Sequence, residues 1–291
     1  MNYYKWLIKN TKSLYGKTVA ISGSTGGIGQ ELCEYLAYLG ANLICLDRNI
    51  DKYNQLIDNL KVKYPNLSAK HIALDLENFD LVKNVTEQLK QIDIDYLILN
   101  AGAYKIPRHK CDTGFDNVFQ INFVSPYYIA CELFDSINAR GGRVVVVSSI
   151  AHNYSKIDTN DIDFSTRTAA SLVYGNAKRF LTFSLLEKFK NDTTLSIVHP
   201  GIAFTNITNH YPKLIFALIK HPMKIIFMKP KKAALSVLYG LFSGCKFNEW
   251  IGPWIFNVWG LPKKKKVNTC TLKEAIDIYH ISNEIYKKSK E

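Results

Sequence analysis

The feature that most constrains the fold is an alternation of six short apolar segments with longer segments of helical character. The apolar segments are rich in Val, Ile and Leu on both faces, which is typical of central strands in a parallel sheet. The predicted strands span residues 17–22, 42–47, 68–75, 94–100, 143–148 and 194–199. The predicted helices span about 27–40, 51–63, 79–91, 112–138 and 172–190, with a further one at Leu272–Lys288. This order indicates βαβ units and predicts an α/β fold on a Rossmann-type doubly wound parallel sheet.

The first predicted strand ends in a glycine-rich turn, SGSTGGIG, at residues 22–29, and a helix follows. Gly23 allows a tight turn, Gly27 allows the backbone to approach a pyrophosphate, and Gly29 allows the helix to pack against the strand. The N-terminus of that helix offers N–H donors and the positive end of the helix dipole to an anion. Because the motif lies at the first strand–helix junction, it predicts a dinucleotide site.

Composition excludes several classes of protein. With 47% hydrophobic and 21% charged residues among 291, the chain can form a sizeable core and is not a disordered chain. The six cysteines form no CxxC pair and the seven histidines show no metal-ligand spacing, so we expect free thiols, a reducing cytoplasmic compartment and no metal. The longest nearly uncharged apolar stretch, Ile251–Leu261, is too short and interrupted to span a membrane, and we do not expect the N-terminal residues to act as a secretion signal.

The net charge of +12 is concentrated in two basic segments, residues 213–232 and 262–266. The second follows a tryptophan-rich stretch at Trp250–Trp259. Lysines interleaved with apolar residues suit peripheral contact with an anionic membrane, and they equally suit a buried segment with a solvated lysine face. No nucleic-acid recognition motif accompanies the charge, so no nucleic-acid partner is expected.

Motifs in a fixed order along residues 17–205 resemble those of the short-chain dehydrogenase/reductase family. They are the glycine turn, Asn100-Ala101-Gly102 after the fourth strand, Asn122 in a helix, Ser148-Ser149 at the end of the fifth strand, Tyr174 and Lys178 in a YxxxK motif, and Pro200-Gly201 followed by Thr205. Two further features resemble the retinol-dehydrogenase-like branch, namely the S-S-x-A-H sequence at 148–152 and the long spacing of 25 positions from Ser149 to Tyr174. Within this segment a structural role is expected for His152, with substrate contact as the alternative.

The resemblance implies a nicotinamide dinucleotide cofactor. Asp47, at the tip of the second strand, would accept hydrogen bonds from ribose hydroxyls and repel a 2′-phosphate, whereas Arg48 could bind that phosphate or stack on adenine. The carboxylate favours NAD, with NADP as the alternative. Asp75 matches an adenine-contacting position but could instead cap a helix. The cofactor-binding residues so implied are Gly23, Ser24, Thr25, Gly27, Ile28, Gly29, Asp47, Arg48, Asp75, Leu76, Asn100, Ala101, Gly102, Tyr174, Lys178, Pro200, Gly201 and Thr205.

Tyr174 and Lys178 are four residues apart on a predicted helix, so they share one face. A nearby ammonium favours the phenolate, and we therefore expect a lowered pKa for Tyr174, which suits a general acid or base. The resemblance implies that Ser149 polarises the substrate oxygen and that Asn122 holds a helix carbonyl and a water for proton relay. A second YxxxK, Tyr286 to Lys290, lies in a Lys-rich terminal helix and is interpreted as a solvated face.

The resemblance further implies one domain with a core at about 15–200, a helical substrate lid at about 202–230 and a C-terminal extension at 246–291. The lid is rich in Ile, Phe, Leu and Met, which predicts a hydrophobic alcohol or carbonyl substrate. The family commonly forms homo-oligomers through the helices that follow the fourth and fifth strands. The expected function is thus an NAD(P)-dependent oxidoreductase. The alternatives are a non-catalytic dinucleotide-binding regulatory protein and a membrane-peripheral protein.

Overall fold

The structure is a computed structural model that describes residues 3–202 and 228–290. In these residues the strands form one sheet of eight, in the order β3-β2-β1-β4-β5-β6-β7-β8. β1 to β7 are parallel, and β8 pairs antiparallel with β7 at one edge. The predicted doubly wound α/β fold is confirmed. The strands are β1 (Thr18–Ser22), β2 (Asn42–Asp47), β3 (Ala69–Ala73), β4 (Tyr96–Leu99), β5 (Arg143–Val147), β6 (Leu195–Val198), β7 (Glu249–Ile255) and β8 (Trp259–Lys266).

Helices cover both faces of the sheet, because successive strand residues point to opposite sides. In β5, Val144 and Val146 join one buried cluster, while Val145 and Val147 join the other. α4 to α7 pack on the first side, and α1, α2, α3 and α8 pack on the second. The helices are α1 (Tyr3–Asn10), α2 (Gly27–Tyr38), α3 (Ile50–Lys63), α4 (Phe79–Lys90), α5 (Asn117–Phe119), α6 (Ser125–Ala139), α7 (Ala170–Lys188), α8 (Pro230–Ser243) and α9 (Leu272–Lys288).

The predicted helix at 112–138 begins later in the structure, at α5, and is interrupted by a π-helical turn at Gln120–Val124 before α6. Residues before it form a tight turn in which the Cys111 N–H donates to the Phe115 carbonyl. Gly114 adopts a φ of +86° there, which a helix does not allow. The side chain of Asp116 then accepts a hydrogen bond from the Val118 N–H and caps the helix.

β7 and β8 were not expected from the sequence, because Pro253 and Pro262 interrupt both segments and proline is usual only at sheet edges. The two prolines lie opposite each other in the ladder, and β8 is the edge strand. The C-terminal extension therefore widens the sheet. Its last helix, α9, packs on α6 and α7, with the Tyr286 ring 6.2 Å from that of Tyr127.

Candidate functional site

The glycine turn after β1 has the close packing that its sequence predicts. Gly23 has a φ of +71°, a conformation that favours glycine. A Cβ on Gly29 would lie 2.0 Å from the Gly23 carbonyl oxygen, so no larger residue fits while α2 keeps its place. Gly26, at the N-cap of α2, supplies no side-chain cap, so the first N–H groups of the helix have no side-chain acceptor from that position. Uncapped N–H groups at a helix N-terminus suit a phosphate group.

A hydrogen-bonded link joins this turn to the end of β4. The Ser22 hydroxyl accepts from the N–H groups of Asn100 and Ala101, both at 3.1 Å. The Asn100 amide donates in return to the carbonyls of Ser22 and Gly23, at 3.2 and 3.1 Å. Sequence reasoning predicted Asn100 but missed Ser22. The sequence signal that could have identified Ser22 is its position as the last residue of β1.

Asp47 lies at the carboxyl end of β2 and is 4% exposed. Its carboxylate accepts hydrogen bonds from the Ser24 hydroxyl, from the Thr25 N–H at 3.1 Å and from the Thr25 hydroxyl at 2.9 Å. The carboxylate therefore holds the glycine turn in place as well as facing the cavity beside it. Ser24 is fully buried beneath the turn, where it supports Asp47.

Arg48 is largely exposed, and its Nη1 lies 3.8 Å from Oδ2 of Asp75. Asp75 accepts a hydrogen bond from the Glu77 N–H at 3.0 Å and so forms a short turn after β3. The cap of α4 is Asn78, whose side chain accepts from the Leu81 N–H. The alternative of Asp75 as a helix cap is therefore wrong.

These residues line one cavity of about 650 Å³ at the carboxyl ends of β1, β2 and β4. In a doubly wound sheet this is where the strand order reverses and where ligands bind. Sequence reasoning missed the wall formed by the segment after β4 and by α5. The cavity is lined by most of the residues predicted for cofactor binding and by Gly26, Asn49, Lys52, Ile106, Pro107, His109, Asn117 and Ile121.

A second cluster of side chains lies beside this cavity, where β5 ends and α7 passes. Lys178 is buried, and its ammonium donates to the Val147 carbonyl at 3.0 Å. The same Nζ lies 5.7 Å from the centroid of the Tyr174 ring, on the same helix face. The Ser149 side chain hydrogen-bonds the Tyr174 phenol. The Tyr104 ring packs edge-on against Tyr174, with 5.3 Å between centroids.

Asn122 sits in the π-helical turn and is fully buried. Its amide donates to the carbonyls of Val118 at 2.9 Å and Ala103 at 2.8 Å, and its Oδ1 accepts from the Ala103 N–H at 3.2 Å. A Cβ on Gly102 would lie 2.8 Å from that Oδ1 and 3.6 Å from the Lys178 Nζ. Because Gly102 lines the cavity, the structure brings the Asn122 and Lys178 side chains against the dinucleotide-sized space.

The pKa of the Tyr174 phenol differs from the sequence prediction. Burial raises this pKa to about 12, and the hydrogen bond from Ser149 offsets only part of the rise. Burial also lowers the pKa of Lys178 to about 7. The prediction that the ammonium lowers the tyrosine pKa is therefore wrong for this structure, because desolvation outweighs a lysine that is itself only partly charged near neutral pH.

His152 and the residues after β6 complete the surroundings. The ring nitrogens of buried His152 contact the Ser149 carbonyl at 2.6 Å and the Thr269 hydroxyl at 2.8 Å, so its role is structural. Gly201 has a φ of +78°, and its N–H donates to His199 at 3.3 Å. Thr205 and most of the lid at 202–230 lie outside the described residues.

Within residues 3–202 and 228–290, no group of three or more His, Cys, Asp or Glu side chains could hold a metal ion. Within the same ranges, no helix is long and apolar enough to cross a bilayer. All six cysteines are free thiols, three of them buried.

Comparison with solved structures supports the fold. An uncharacterized protein from Mycobacterium paratuberculosis is 22% identical over 95% of both chains, with a TM-score of 0.72. The L-sorbose reductase from Gluconobacter frateurii, complexed with NADPH and L-sorbose, is 19% identical over 79% of this chain and 91% of the reductase, with a TM-score of 0.61.

Sequence comparison supports the family. A family model described as short chain dehydrogenase matches residues 17–160, which include the glycine turn and Ser149. Human polyprenol dehydrogenase is 26% identical over 67% of this chain and 63% of its own length. Human retinol dehydrogenase 13 is 27% identical over 67% of this chain and 61% of its own length. The short chain dehydrogenase resG of Aspergillus sclerotiorum is 30% identical over 68% of this chain and 65% of its own length. The chain thus spans less than two thirds of the length of these relatives. It belongs to the short-chain dehydrogenase/reductase family, in the retinol-dehydrogenase-like branch.

Proposed function

We propose that this chain is an NAD(P)-dependent oxidoreductase that interconverts a hydrophobic primary or secondary alcohol and its carbonyl. The observation that carries the proposal is the placement of Tyr174. Its phenol is hydrogen-bonded to Ser149, and Lys178 lies on the same helix face. Lys178 in turn lies beside Gly102, in the wall of a cavity whose other walls suit a dinucleotide. This arrangement supports a role for Tyr174 as a proton donor beside a cofactor-sized space.

The cavity fits a nicotinamide dinucleotide. The glycine turn packs closely against the start of α2, since a Cβ on Gly29 would lie 2.0 Å from the Gly23 oxygen, and the N-terminus of α2 presents N–H donors to the cavity that the turn lines. Asp47, Arg48, Asp75 and Leu76 would hold the adenosine end, and Asn100 to Gly102 would lie along the middle. When bound, the nicotinamide would supply or accept the hydride.

In reduction, Tyr174 would donate its phenolic proton to the carbonyl oxygen of the substrate as the carbonyl becomes an alcohol. A phenol with a pKa of about 12 is protonated at neutral pH, which suits a donor. In oxidation the same oxygen would accept the alcohol proton. Ser149, already hydrogen-bonded to this oxygen, would orient and polarise the substrate oxygen, while Lys178 would favour the phenolate whenever it is charged.

The decisive experiment compares Tyr174→Phe with wild type in a cofactor-linked absorbance assay over hydrophobic alcohols and ketones. Loss of the proton donor should reduce kcat by about 10²- to 10⁴-fold. The chain offers a matched control in Tyr286→Phe, because Tyr286 opens the second YxxxK, its hydroxyl donates to Glu132, and neither residue lines the cavity. Equal turnover by wild type and Tyr174→Phe would refute the proposal, as would an equal loss in both variants.

We further propose a preference for NAD over NADP. The buried Asp47 carboxylate is fixed by Ser24 and Thr25 and would repel a 2′-phosphate. The charge of Arg48 is partly offset by Asp75 at 3.8 Å, and its side chain is 67% exposed, which weakens it as a phosphate ligand. Two structural relatives are described with bound NADPH or NADP, so NADP is the alternative that the experiment must test.

The preference is measured as the ratio of kcat/KM for the two cofactors. Asp47→Asn should shift this ratio toward NADP because the repelling charge is removed. Arg48→Ala should change this ratio much less than Asp47→Asn, because the Arg48 side chain is largely exposed and its charge is partly offset by Asp75. A wild type that prefers NADP, and loses that preference in Arg48→Ala, would refute the assignment.

A hydrophobic substrate is proposed on two grounds. Two of the relatives are named for polyprenol and retinol, which are long apolar alcohols. In this chain the aromatic ring of Tyr104 packs against Tyr174, with 5.3 Å between the ring centroids. A panel from short to long alcohols should therefore show kcat/KM rising with apolar length; a flat or falling series would contradict this assignment.

The family commonly forms homo-oligomers through the helices after β4 and β5, but in this chain α9 packs on those helices. α9 lies on both α6 and α7, where Tyr286 contacts Tyr127 and Tyr128, and Glu274 binds Arg179. A homo-oligomer, if formed, would therefore use another face or include α9 in its interface. Sedimentation equilibrium of the purified chain measures its state directly.

A further inference from the structure

The hairpin of β7 and β8 ends in a tip, residues 254–257, that carries two exposed aromatic rings. Trp254 is 58% exposed and Phe256 is 84% exposed. Large aromatic side chains are normally covered in a folded protein, and two of them close together on one turn form a local apolar patch. Trp250, at the other end of the same stretch, is 3% exposed and stacks on His199. The aromatic surface is therefore confined to the tip.

The backbone of the tip is built to present these rings. Phe256 and Asn257 have φ angles of 50° and 59°, and a bulky residue rarely adopts this left-handed conformation. The Lys265 ammonium holds the turn by donating to the carbonyls of Pro253 at 2.8 Å and Trp254 at 3.1 Å, and to the Asn257 side chain at 2.7 Å. An unusual conformation that is held in place by its neighbours points to a role for the exposed rings.

The Trp254 ring is positioned by a glycine on the facing strand. A Cβ on Gly260 would lie 2.3 Å from Cδ1 of Trp254, so the ring lies directly over the backbone at that point. Gly260 also has a φ of +105°, which favours glycine. One edge of the indole is thus fixed against the hairpin while the rest faces solvent.

Positive charge lies along β8 behind the tip, from Lys263 opposite Gly252 to Lys266 at the end of the hairpin farthest from the tip. Lys263, Lys264 and Lys266 are exposed on β8, and in the described parts of the chain none of the three pairs with a carboxylate within 4.0 Å. Glu249 is the one acidic residue on the hairpin, opposite Lys266 in the ladder. Lysines on an edge strand also prevent pairing between sheets, and that role explains the lysines. It does not explain the exposed rings of Trp254 and Phe256.

We propose that this hairpin tip docks on an anionic lipid bilayer, with Trp254 and Phe256 in the interfacial layer and the lysines against the headgroups. Aromatic rings favour the interface because one side is apolar and the other hydrated, and lysines near the surface gain from its negative potential. Charge complementarity selects a lipid of negative charge.

Docking by the tip would bring the lipid surface close to the candidate active site. The Val258 carbonyl oxygen would lie 2.7 Å from a Cβ on Gly201, so the hairpin packs directly against the turn after β6. That turn belongs to the predicted cofactor site. The idea that the substrate is an apolar alcohol taken from the bilayer rests on the proposed function. The idea that the tip binds lipid does not depend on that function.

The test is co-sedimentation of the full chain with vesicles of phosphatidylcholine alone and of phosphatidylcholine with about 30% phosphatidylserine. Binding to the anionic vesicles should exceed binding to the neutral ones and should weaken as salt screens the lysines. Replacing Lys263, Lys264 and Lys266 by Gln should weaken it by about 5-fold per lysine. Trp254→Ser with Phe256→Ser should weaken it at least as much as one lysine.

A control variant uses exposed apolar residues elsewhere, Tyr15→Ser with Val62→Ser, which are 88% and 83% exposed in the wild type. This control should bind vesicles like wild type. Trp254 emission should shift to the blue on binding and should be quenched by brominated lipid, and Trp254→Phe should remove that signal.

Two results would overturn the docking proposal: no binding of wild type to the anionic vesicles, or binding that is lost in the lysine variant but unchanged in the aromatic variant. The second result would mean that the lysines only protect the sheet edge from pairing and attract anionic lipid non-specifically. Turnover of a short soluble alcohol without vesicles separates this proposal from the enzymatic one. The hairpin variants should keep that turnover, whereas Tyr174→Phe should lose it and still bind vesicles.

Discussion

Glu274 in α9 forms a buried ion pair with Arg179 in α7, the residue after Lys178. The guanidinium donates to both carboxylate oxygens, with Nε to Oε1 at 2.8 Å and Nη2 to Oε2 at 2.7 Å. It also donates to the carbonyls of His152 at 3.0 Å and Thr269 at 2.9 Å. The side chains are only 3% and 15% exposed. Glu274→Ala would therefore leave a buried positive charge with carbonyl partners alone.

The loss of folding stability in Glu274→Ala follows from the burial of the ion pair. Removing one partner of a buried pair destabilises a protein by about 3–5 kcal/mol. With an unfolding entropy of about 2.1 cal/mol/K per residue, a chain of 291 residues loses about 5–8 °C of its melting temperature. Replacing both partners, in Arg179→Met with Glu274→Leu, should restore stability to the wild-type level or above it, because no uncompensated charge is left.

The assay is calorimetry together with urea unfolding, and α9 itself contains the control. Glu284 pairs with Lys287 on the surface, with both side chains 62% exposed, so Glu284→Ala should leave the melting temperature at the wild-type value. A melting temperature of Glu274→Ala that equals that of Glu284→Ala would refute the reasoning.

The Glu274 effect should also depend on pH. Burial raises the pKa of Glu274, but the hydrogen bonds and charge of Arg179 outweigh burial and hold the pKa below its ordinary value of 4.5. The stabilisation is therefore present above that value and is lost as pH falls through the folded-state pKa. The difference between wild type and Glu274→Gln should shrink over the same range.

Three further predictions concern the site. Gly29→Ala should lower the melting temperature and abolish NAD binding, because the added Cβ would lie 2.0 Å from the Gly23 oxygen. Gly26→Ala, whose Cβ would lie 3.3 Å from the same oxygen, should lower the melting temperature less. Burial lowers the pKa of Lys178 from 10.5 to about 7, so Lys178→Met should stabilise the fold most below pH 7, with a gain in urea unfolding that shrinks as pH rises toward 10.5. An equal gain at all pH values would contradict this. Burial lowers the pKa of His152 from 6.5 to about 4, so stability should fall as pH drops through this range, and His152→Gln should flatten the fall in urea titrations.

Sequence patterns predicted the six central strands because their signals are local. A strand buried on both faces must be apolar, as at residues 144–147 of β5, and a turn that meets a helix closely must be glycine, as at Gly29. The last two strands, β7 and β8, escaped prediction. Their pairing depends on Pro253 lying opposite Pro262 in the ladder, and no local pattern shows this.

Local sequence patterns were enough to predict the doubly wound sheet, the position of the glycine turn and the order of the candidate site residues, because each depends on neighbours a few positions away. The remaining features depend on contacts between distant parts of the chain and are seen only in the folded protein. The tertiary structure placed Arg179 on Glu274, 95 residues distant, closed the Asp47 carboxylate onto the glycine turn and left the Trp254 ring exposed over Gly260. It also reversed the expected pKa shift of Tyr174, because burial depends on everything packed around a group and not on the residue four positions along its helix.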